Sequence, residues 1–179
     1  MIVCLGDATA EIREWEDLAA AEVSSPAELR MLGEPGSTDG SFFTVRLSRM
    51  TKVRANFSFG IGGSRPSSKP MLLGRTWSNA VWMGADSAVF AIDIETGQVT
   101  DHSFESPFVE FFVSRTLELL ILACESGMRC FGKDGIERWR IDTDLIEDLH
   151  WAEESVMIEK MGRGELVLEL KSGRNCARS

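Results

Sequence analysis

Glycine recurs at positions 97, 135 and 173, a fixed interval of 38 residues, each time after a polar pair: Glu95-Thr96, Lys133-Asp134 and Lys171-Ser172. Self-similarity at a period of about 20 to 50 residues marks stacked arrays and propellers. The apolar residues keep the same phase. Before each glycine stands a strand-like run, VFAIDI, MRCFG or LVLEL, which brings Ile92, Cys130 and Leu168 into one column. An earlier run aligns Val81 with Leu119 and Met157, and Met83 with Ile121, although the third copy has Glu159 there; Phe111 aligns with Leu149. Short apolar runs separated by Gly turns read as antiparallel strands. One small sheet of this kind has an apolar face it cannot bury alone, and stacking against its neighbours buries it.

The segments VFAIDIETGQV and GMRCFGKDGIERW resemble the hairpins of quinoprotein-type and WD-type β-propeller blades, where an apolar-x-Ala-apolar-Asp strand meets a Thr-Gly or Asp-Gly turn. The resemblance spans about residues 77–179 and implies sheets packed face to face. It departs from the family pattern in that the tryptophan expected after the turn occurs only as Trp139. Three clear repeats, or four if the hairpin at 43–59 is a decayed copy, just reach the smallest ring of about four blades. Closed propeller, open or sandwich-like meander, and closure through a second chain all fit that count.

The full chain, 1–179, reads as one domain whose first forty residues are a strand plus short helices. Met1 to Leu5 is a short apolar run, expected to pair with the last repeat. Ile12, Trp15, Leu18 and Ala19 recur at helical spacing and predict a helix from Thr9 to Val23. Ser25-Pro26-Ala27-Glu28 has the form of a capping box and predicts a second helix ending near Gly33. Within 41–75, Phe43, Val45 and Leu47, then Val53, Ala55, Phe57 and Phe59, alternate with polar residues as a hairpin, and Gly60 to Pro70 reads as a loop. The expected fold is mainly β, an antiparallel meander of propeller-like repeats with one or two short N-terminal helices; an α+β sandwich is the alternative.

Net charge is −9, unevenly spread: residues 1–40 carry nine acids and two bases, residues 41–75 seven bases and no acid. Blocks of this kind neutralise one another in the fold or face a charged partner. Arg46, Lys52, Arg54, Arg65, Lys69 and Arg75 form the basic patch. It would suit a phosphate backbone, but Phe43, Phe57 and Phe59 fall on the opposite face of the hairpin and could not stack on bases beside those charges. Asp142, Asp144, Glu147, Asp148, Glu153 and Glu154 crowd one connecting segment and form the candidate acidic interaction surface.

Chemistry-bearing signatures are lacking. Gly60-Ile61-Gly62-Gly63-Ser64 runs into Arg65-Pro66, which cannot open the helix a phosphate loop requires. The apolar residues inside DTDLIEDLHW disfavour a calcium loop. His102 and His150 have no Cys or His at metal-ligand spacing, and no GxSxG turn occurs. No catalytic residue, cofactor or metal is therefore expected. Cys4, Cys124, Cys130 and Cys176 are widely spaced, and free thiols are expected, with a Cys124–Cys130 disulfide the alternative. The longest apolar run, Leu119 to Cys124, is far short of the ~20 residues that span a bilayer and reads as a buried strand. With an acidic N-terminal segment unlike a secretory signal, a cytoplasmic location is expected.

The functional expectation is a non-catalytic module that binds another protein through loops at one end of the repeats or through its acidic surface, in its sharper form an acidic binder or inhibitor of a basic protein. The alternatives are a small-ligand or enzymatic β protein with an anion pocket near Arg65, Lys69 and Arg75, and nucleic-acid binding through the basic hairpin. A homo-oligomer would cover the open sheet edges.

Overall fold

Strands with turns between them account for the residues that the computed structural model describes, namely 2–15, 30–32, 41–61, 71–73, 77–162 and 164–176; none of these is helical. The chain divides into two compact units, Met1–Ser103 and Phe104–Ser179.

In the first unit, β1 (Ile2–Leu5), β2 (Ala8–Trp15), β3 (Arg30–Leu32), β4 (Ser41–Arg49) and β5 (Lys52–Ile61) make a sheet in the order β1-β2-β4-β5-β3. All neighbours are antiparallel except β3, which runs parallel to β5. A second sheet is a simple meander of β6 (Met71–Leu72), β7 (Ala80–Ala85), β8 (Ala88–Asp93) and β9 (Val99–Asp101). The two sheets share a core in which Ala10, Ile12, Val45 and Leu47 meet Val81, Met83, Phe90 and Ile92.

The second unit repeats the meander. β10 (Phe108–Ser114), β11 (Leu119–Cys124), β12 (Gly127–Gly132) and β13 (Glu137–Asp142) form one sheet; β14 (Ile146–Trp151), β15 (Ser155–Lys160) and β16 (Gly164–Glu169) form the next. Residues 174–176 lie along β16 where β9 and β13 lie in the other meanders. There Glu169 N–H donates to the Arg174 carbonyl at 3.0 Å and Cys176 N–H to the Val167 carbonyl at 2.7 Å. The core between these sheets joins Ile121 and Cys130 to Val156, Ile158, Leu168 and Leu170, and each such Leu or Ile taken out of water contributes roughly 1.5–3 kcal/mol. Every residue of β11 is buried, as the apolar run from Leu119 to Cys124 requires.

The glycine period has a physical basis. Gly97, Gly135 and Gly173 all adopt left-handed backbone, with φ of 71°, 79° and 67°. At each site the side chain before the glycine accepts from the backbone N–H after it: Thr96 Oγ1 from Gln98, Asp134 Oδ1 from Ile136, and Ser172 Oγ from Arg174. A residue without a Cβ penalty at φ > 0, preceded by a short side chain that mimics a backbone acceptor, closes the hairpin. Ile92, Cys130 and Leu168 are fully or almost fully buried, as their column predicts.

The other columns need correction. In the ladders Ile92 faces Val81, Cys130 faces Ile121 and Leu168 faces Val156, so Val81, Ile121 and Val156 are the equivalent inward positions. Leu119 lies two residues along on the same inward face. Met157 falls one residue off Val156, and a shift of one turns a side chain to the other face of the sheet. Glu159 shares that outer face, which explains a carboxylate in an otherwise apolar column. The cause is turn length: β7–β8 and β11–β12 close through two residues, β15–β16 through three. Likewise Phe112, not Phe111, matches Leu149 in facing the core.

The N-terminal expectations also change. Residues 8–15, expected to open a helix from Thr9 to Val23, are β2; the rest of that span lies outside the described residues. The Ser25-initiated helix is outside them too, apart from its last residues, Arg30–Leu32, which are strand. Ala8, Ala10 and Ile12 are buried while Arg13 and Glu14 are exposed, and hydrogen bonding to strands on both edges outweighs a weak 3.6-residue spacing. Of the Met1 to Leu5 run expected to pair with the last repeat, Ile2–Leu5 pairs instead with β2. β1 folds back on β2 through Gly6 and Asp7, where Gly6 has φ 73°, and a two-residue hairpin closes at less entropic cost than a long-range pairing. The hairpin at 43–59 forms as expected, as β4 and β5.

Candidate functional site

The second unit has two ends set by strand direction. At one lie the β11–β12 turn, the β13–β14 connection and the β15–β16 turn, joined by backbone hydrogen bonds from Thr143 to Ser126, Ile146 to Glu125 and Met161 to Leu145. At the other lie the β10–β11, β12–β13 and β14–β15 turns, where Thr116 Oγ1 donates to Glu153 Oε1 and Ser114 Oγ to the Glu153 carbonyl.

The six acidic residues divide between these ends. Asp142 closes β13 with its carboxylate 3.2 Å from Arg140, and Asp144 follows in the connection. Glu147 is the extra residue of a β-bulge in β14, one period after a matching bulge at Val109 in β10. Asp148 stands beside it, its Oδ1 accepting the Leu149 N–H at 2.8 Å. All four are exposed at or near the first end. Glu153 and Glu154, also exposed, sit at the other end, a strand of about 20 Å away. One run in sequence is thus two clusters in space.

Sequence reasoning missed what lies among the four acids. Leu145 is 49% and Met161 61% exposed, and the Met161 N–H donates to the Leu145 carbonyl at 2.9 Å. Two apolar side chains on adjoining turns therefore share the surface with Asp142, Asp144, Glu147 and Asp148. Their signal in sequence was an apolar residue inside a turn-forming stretch, Asp144-Leu145 and Met161-Gly162.

The basic patch is also redistributed. Arg46, Lys52 and Arg54 are exposed and make no ion pair among the described residues. Arg46 faces Asn56 and Glu11 across its two ladders, on the outer side of β4. Arg54 is the extra residue of a bulge that shifts the register of β5, so Lys52 faces Arg49 and not the side of Arg46. Arg49 is held between Asp7, at 2.7 Å, and Glu95, tying three turns of the first unit together. Arg65, Lys69 and Arg75 lie outside the described residues, as does the expected Gly60 to Pro70 loop apart from Gly60 and Ile61, which end β5.

The remaining candidates are structural. His150 Nε2 is 2.9 Å from Glu159 Oε1 and 3.5 Å from Asp148 Oδ2, and His102 stacks on Trp82 with ring centroids 4.8 Å apart. All four cysteines are free; Cys124 and Cys130 are buried and the expected alternative of a bridge between them does not form, since Cys124 pairs with Gly127 and Cys130 with Ile121. Burial pushes the Cys130 thiol up to about 12, with Arg138 pulling it down and Glu137 adding to the rise. A thiol so protonated is a poor nucleophile. An open groove of about 450 Å³ lined by Leu117, Glu118, Gly132, Lys133, Asp134 and Arg138 is filled electrostatically by its own Lys133–Glu118 and Arg138–Asp134 pairs. Among the described residues no group of three His, Cys, Asp or Glu could hold a metal ion, and no helix is long and apolar enough to cross a membrane.

No family model matches the chain, and no curated protein is similar to it in sequence. Solved structures similar to it include the computationally designed Ika8 protein, at 16% identity over 76% of this chain and 45% of that one, with a TM-score of 0.48. Dihydro-heme d1 dehydrogenase NirN is 16% identical over 82% of this chain and 36% of its own, with a TM-score of 0.48. BamB from Moraxella catarrhalis is 14% identical over 79% and 46%, with a TM-score of 0.41. The chain spans less than half the length of each of these three. Its resemblance to propeller-type repeats rests on its own strand order and turn chemistry: consecutive antiparallel meanders, each packed against the next through one apolar face within its unit.

Proposed function

We propose that this chain is a non-catalytic protein-interaction module that engages a basic partner through the end of the second unit carrying Asp142, Asp144, Glu147 and Asp148 around Leu145 and Met161. The observation that carries the reading is the apolar pair set among exposed acids. An apolar centre supplies affinity on desolvation while surrounding charge steers encounter and selects the sign of the partner. Loops at one end of a rigid stack of sheets can vary without disturbing the core beneath, which suits recognition. Propeller-like folds host many functions, so the reading rests on this surface and not on the fold.

The test is affinity capture from native lysate with the wild-type chain, with Asp144→Lys/Glu147→Lys, and with Leu145→Ser/Met161→Ser. A partner retained at roughly 50 mM salt, released at roughly 500 mM and lost with both variants supports the reading. Capture of no partner, or of partners indifferent to salt and to both substitutions, defeats it.

A further inference from the structure

We propose that the chain associates head to tail with a second copy of itself, the basic tip of the β4–β5 hairpin docking on the acidic end around Leu145 and Met161 of its neighbour. This rests on the reading of that end as a binding surface and names an occupant the chain itself supplies.

The hairpin tip has the complementary character. Met50 stands at its apex, 82% exposed, with φ 54°; among the described residues the other non-glycine residues at positive φ are Ser78, Asn79, Asp86 and Glu118, all polar. A methionine held in the left-handed region costs backbone strain while its bared side chain gains nothing from burial, and an outlier of that kind points to use rather than to packing. Met is adaptable in contact and favoured at binding surfaces. Val53, opposite Ser48 in the same hairpin, is 39% exposed. The tip carries Lys52 and Arg54, with Arg46 further along β4, and none of the three is neutralised by an ion pair among the described residues, whereas Arg49 beside them is locked to Asp7 and Glu95. The tip thus bares Met50 and Val53 with Lys52 on one face of the hairpin and Arg46 on the other; the opposite surface bares Leu145 and Met161 among carboxylates.

The two surfaces belong to different parts of the chain, so their contact is heterologous: each copy offers a tip to one neighbour and an end to another, which extends into rings or short chains. Both patches are small, so the association is weak and salt-sensitive.

Sedimentation velocity over roughly 10 to 500 μM protein tests this, because small interfaces hold in that range. The wild-type chain is expected to associate at roughly 50 mM salt and to weaken on the order of tenfold at roughly 500 mM. Lys52→Glu/Arg54→Glu and Asp144→Lys/Glu147→Lys each set like charges against each other and should be monomeric alone. Their equimolar mixture should associate, since each variant's reversed surface then meets an opposite charge. Glu154→Lys, at the other end of β14, shifts net charge without touching the contact and should associate like wild type; thermal melts of all variants confirm folding. A wild-type chain monomeric throughout, association that survives either double reversal, or a mixture that stays monomeric overturns the proposal. The first outcome leaves the lysate capture free to decide the reading of the acidic end.

Discussion

Gly173 should be much harder to replace than Gly162, because two separate costs meet there. Its backbone has φ 67°, and a Cβ built on it would lie 2.8 Å from Cδ2 and 2.9 Å from Cγ of Trp139. That indole is fixed in place, with Nε1 donating to the carbonyl of buried Leu170 at 2.7 Å. Gly162, in the same unit, has nearly the same φ, 70°, with nothing within 4 Å of the added atom. Gly162→Ala should therefore cost only the left-handed strain, about 1–2 kcal/mol. Gly173→Ala adds the displacement of a packed ring, about 1–3 kcal/mol more. Urea unfolding at neutral pH measures both. Replacing the ring, as Trp139→Leu, destabilises by itself through lost packing and the orphaned carbonyl, but in that background the further cost of Gly173→Ala should fall to that of Gly162→Ala. The coupling in such a cycle is then about 1–3 kcal/mol. Equal costs for the two glycine variants, or a cost for Gly173→Ala indifferent to Trp139, would refute the close packing of the Trp139 ring against the last turn.

The Cys130 thiol, held protonated to about 12 against an ordinary value of 9.0, ties stability to alkaline pH. Between those values the unfolded chain has lost the proton that the folded chain keeps, so stability is full below pH 9 and falls as pH rises towards 12. Cys130→Ala should flatten that decline relative to wild type in urea midpoints across the range, and an unchanged slope would count against burial as its cause. Thiol labelling of the folded protein should reach Cys4 and Cys176 and spare Cys124 and Cys130 until unfolding. Trp151 Nε1 donates to Glu110 Oε1 at 2.6 Å while its ring stacks on Phe112 at 4.2 Å, so Glu110→Ala should cost about 1–3 kcal/mol and Glu110→Gln distinctly less in the same assay. Arg49→Ala, which frees Asp7 and Glu95, should cost up to about 1 kcal/mol, less in high salt, whereas Arg46→Ala should be neutral.

The candidate site was legible only in its composition. The acidic residues were visible as a run, yet β14 carries Glu153 and Glu154 away from Asp142 and Asp144, because a strand moves the chain by a full sheet height where a loop would keep neighbours together. Leu145 and Met161 come from two different turns, so no local window contains both. The basic hairpin was read correctly as two strands, but the bulge at Arg54 changes which face Lys52 joins, and a bulge leaves no mark in an alternation only a few residues long.

What the residues determined by themselves is the turn chemistry. Glycine at φ > 0, with Thr, Asp or Ser before it to cap the next N–H, is a local demand that the chain states every 38 residues, and it specifies where the hairpins close and hence the antiparallel meander. What tertiary structure alone decided is which side chains look inward and which strands meet. Val156 rather than Met157 faces Cys130's sheet because one extra turn residue shifts parity, and β2 is a strand rather than a helix because β1 and β4 offer its backbone partners on both edges. Turns are governed by a few covalently adjacent atoms; facing and pairing are settled by contacts between residues far apart in the chain.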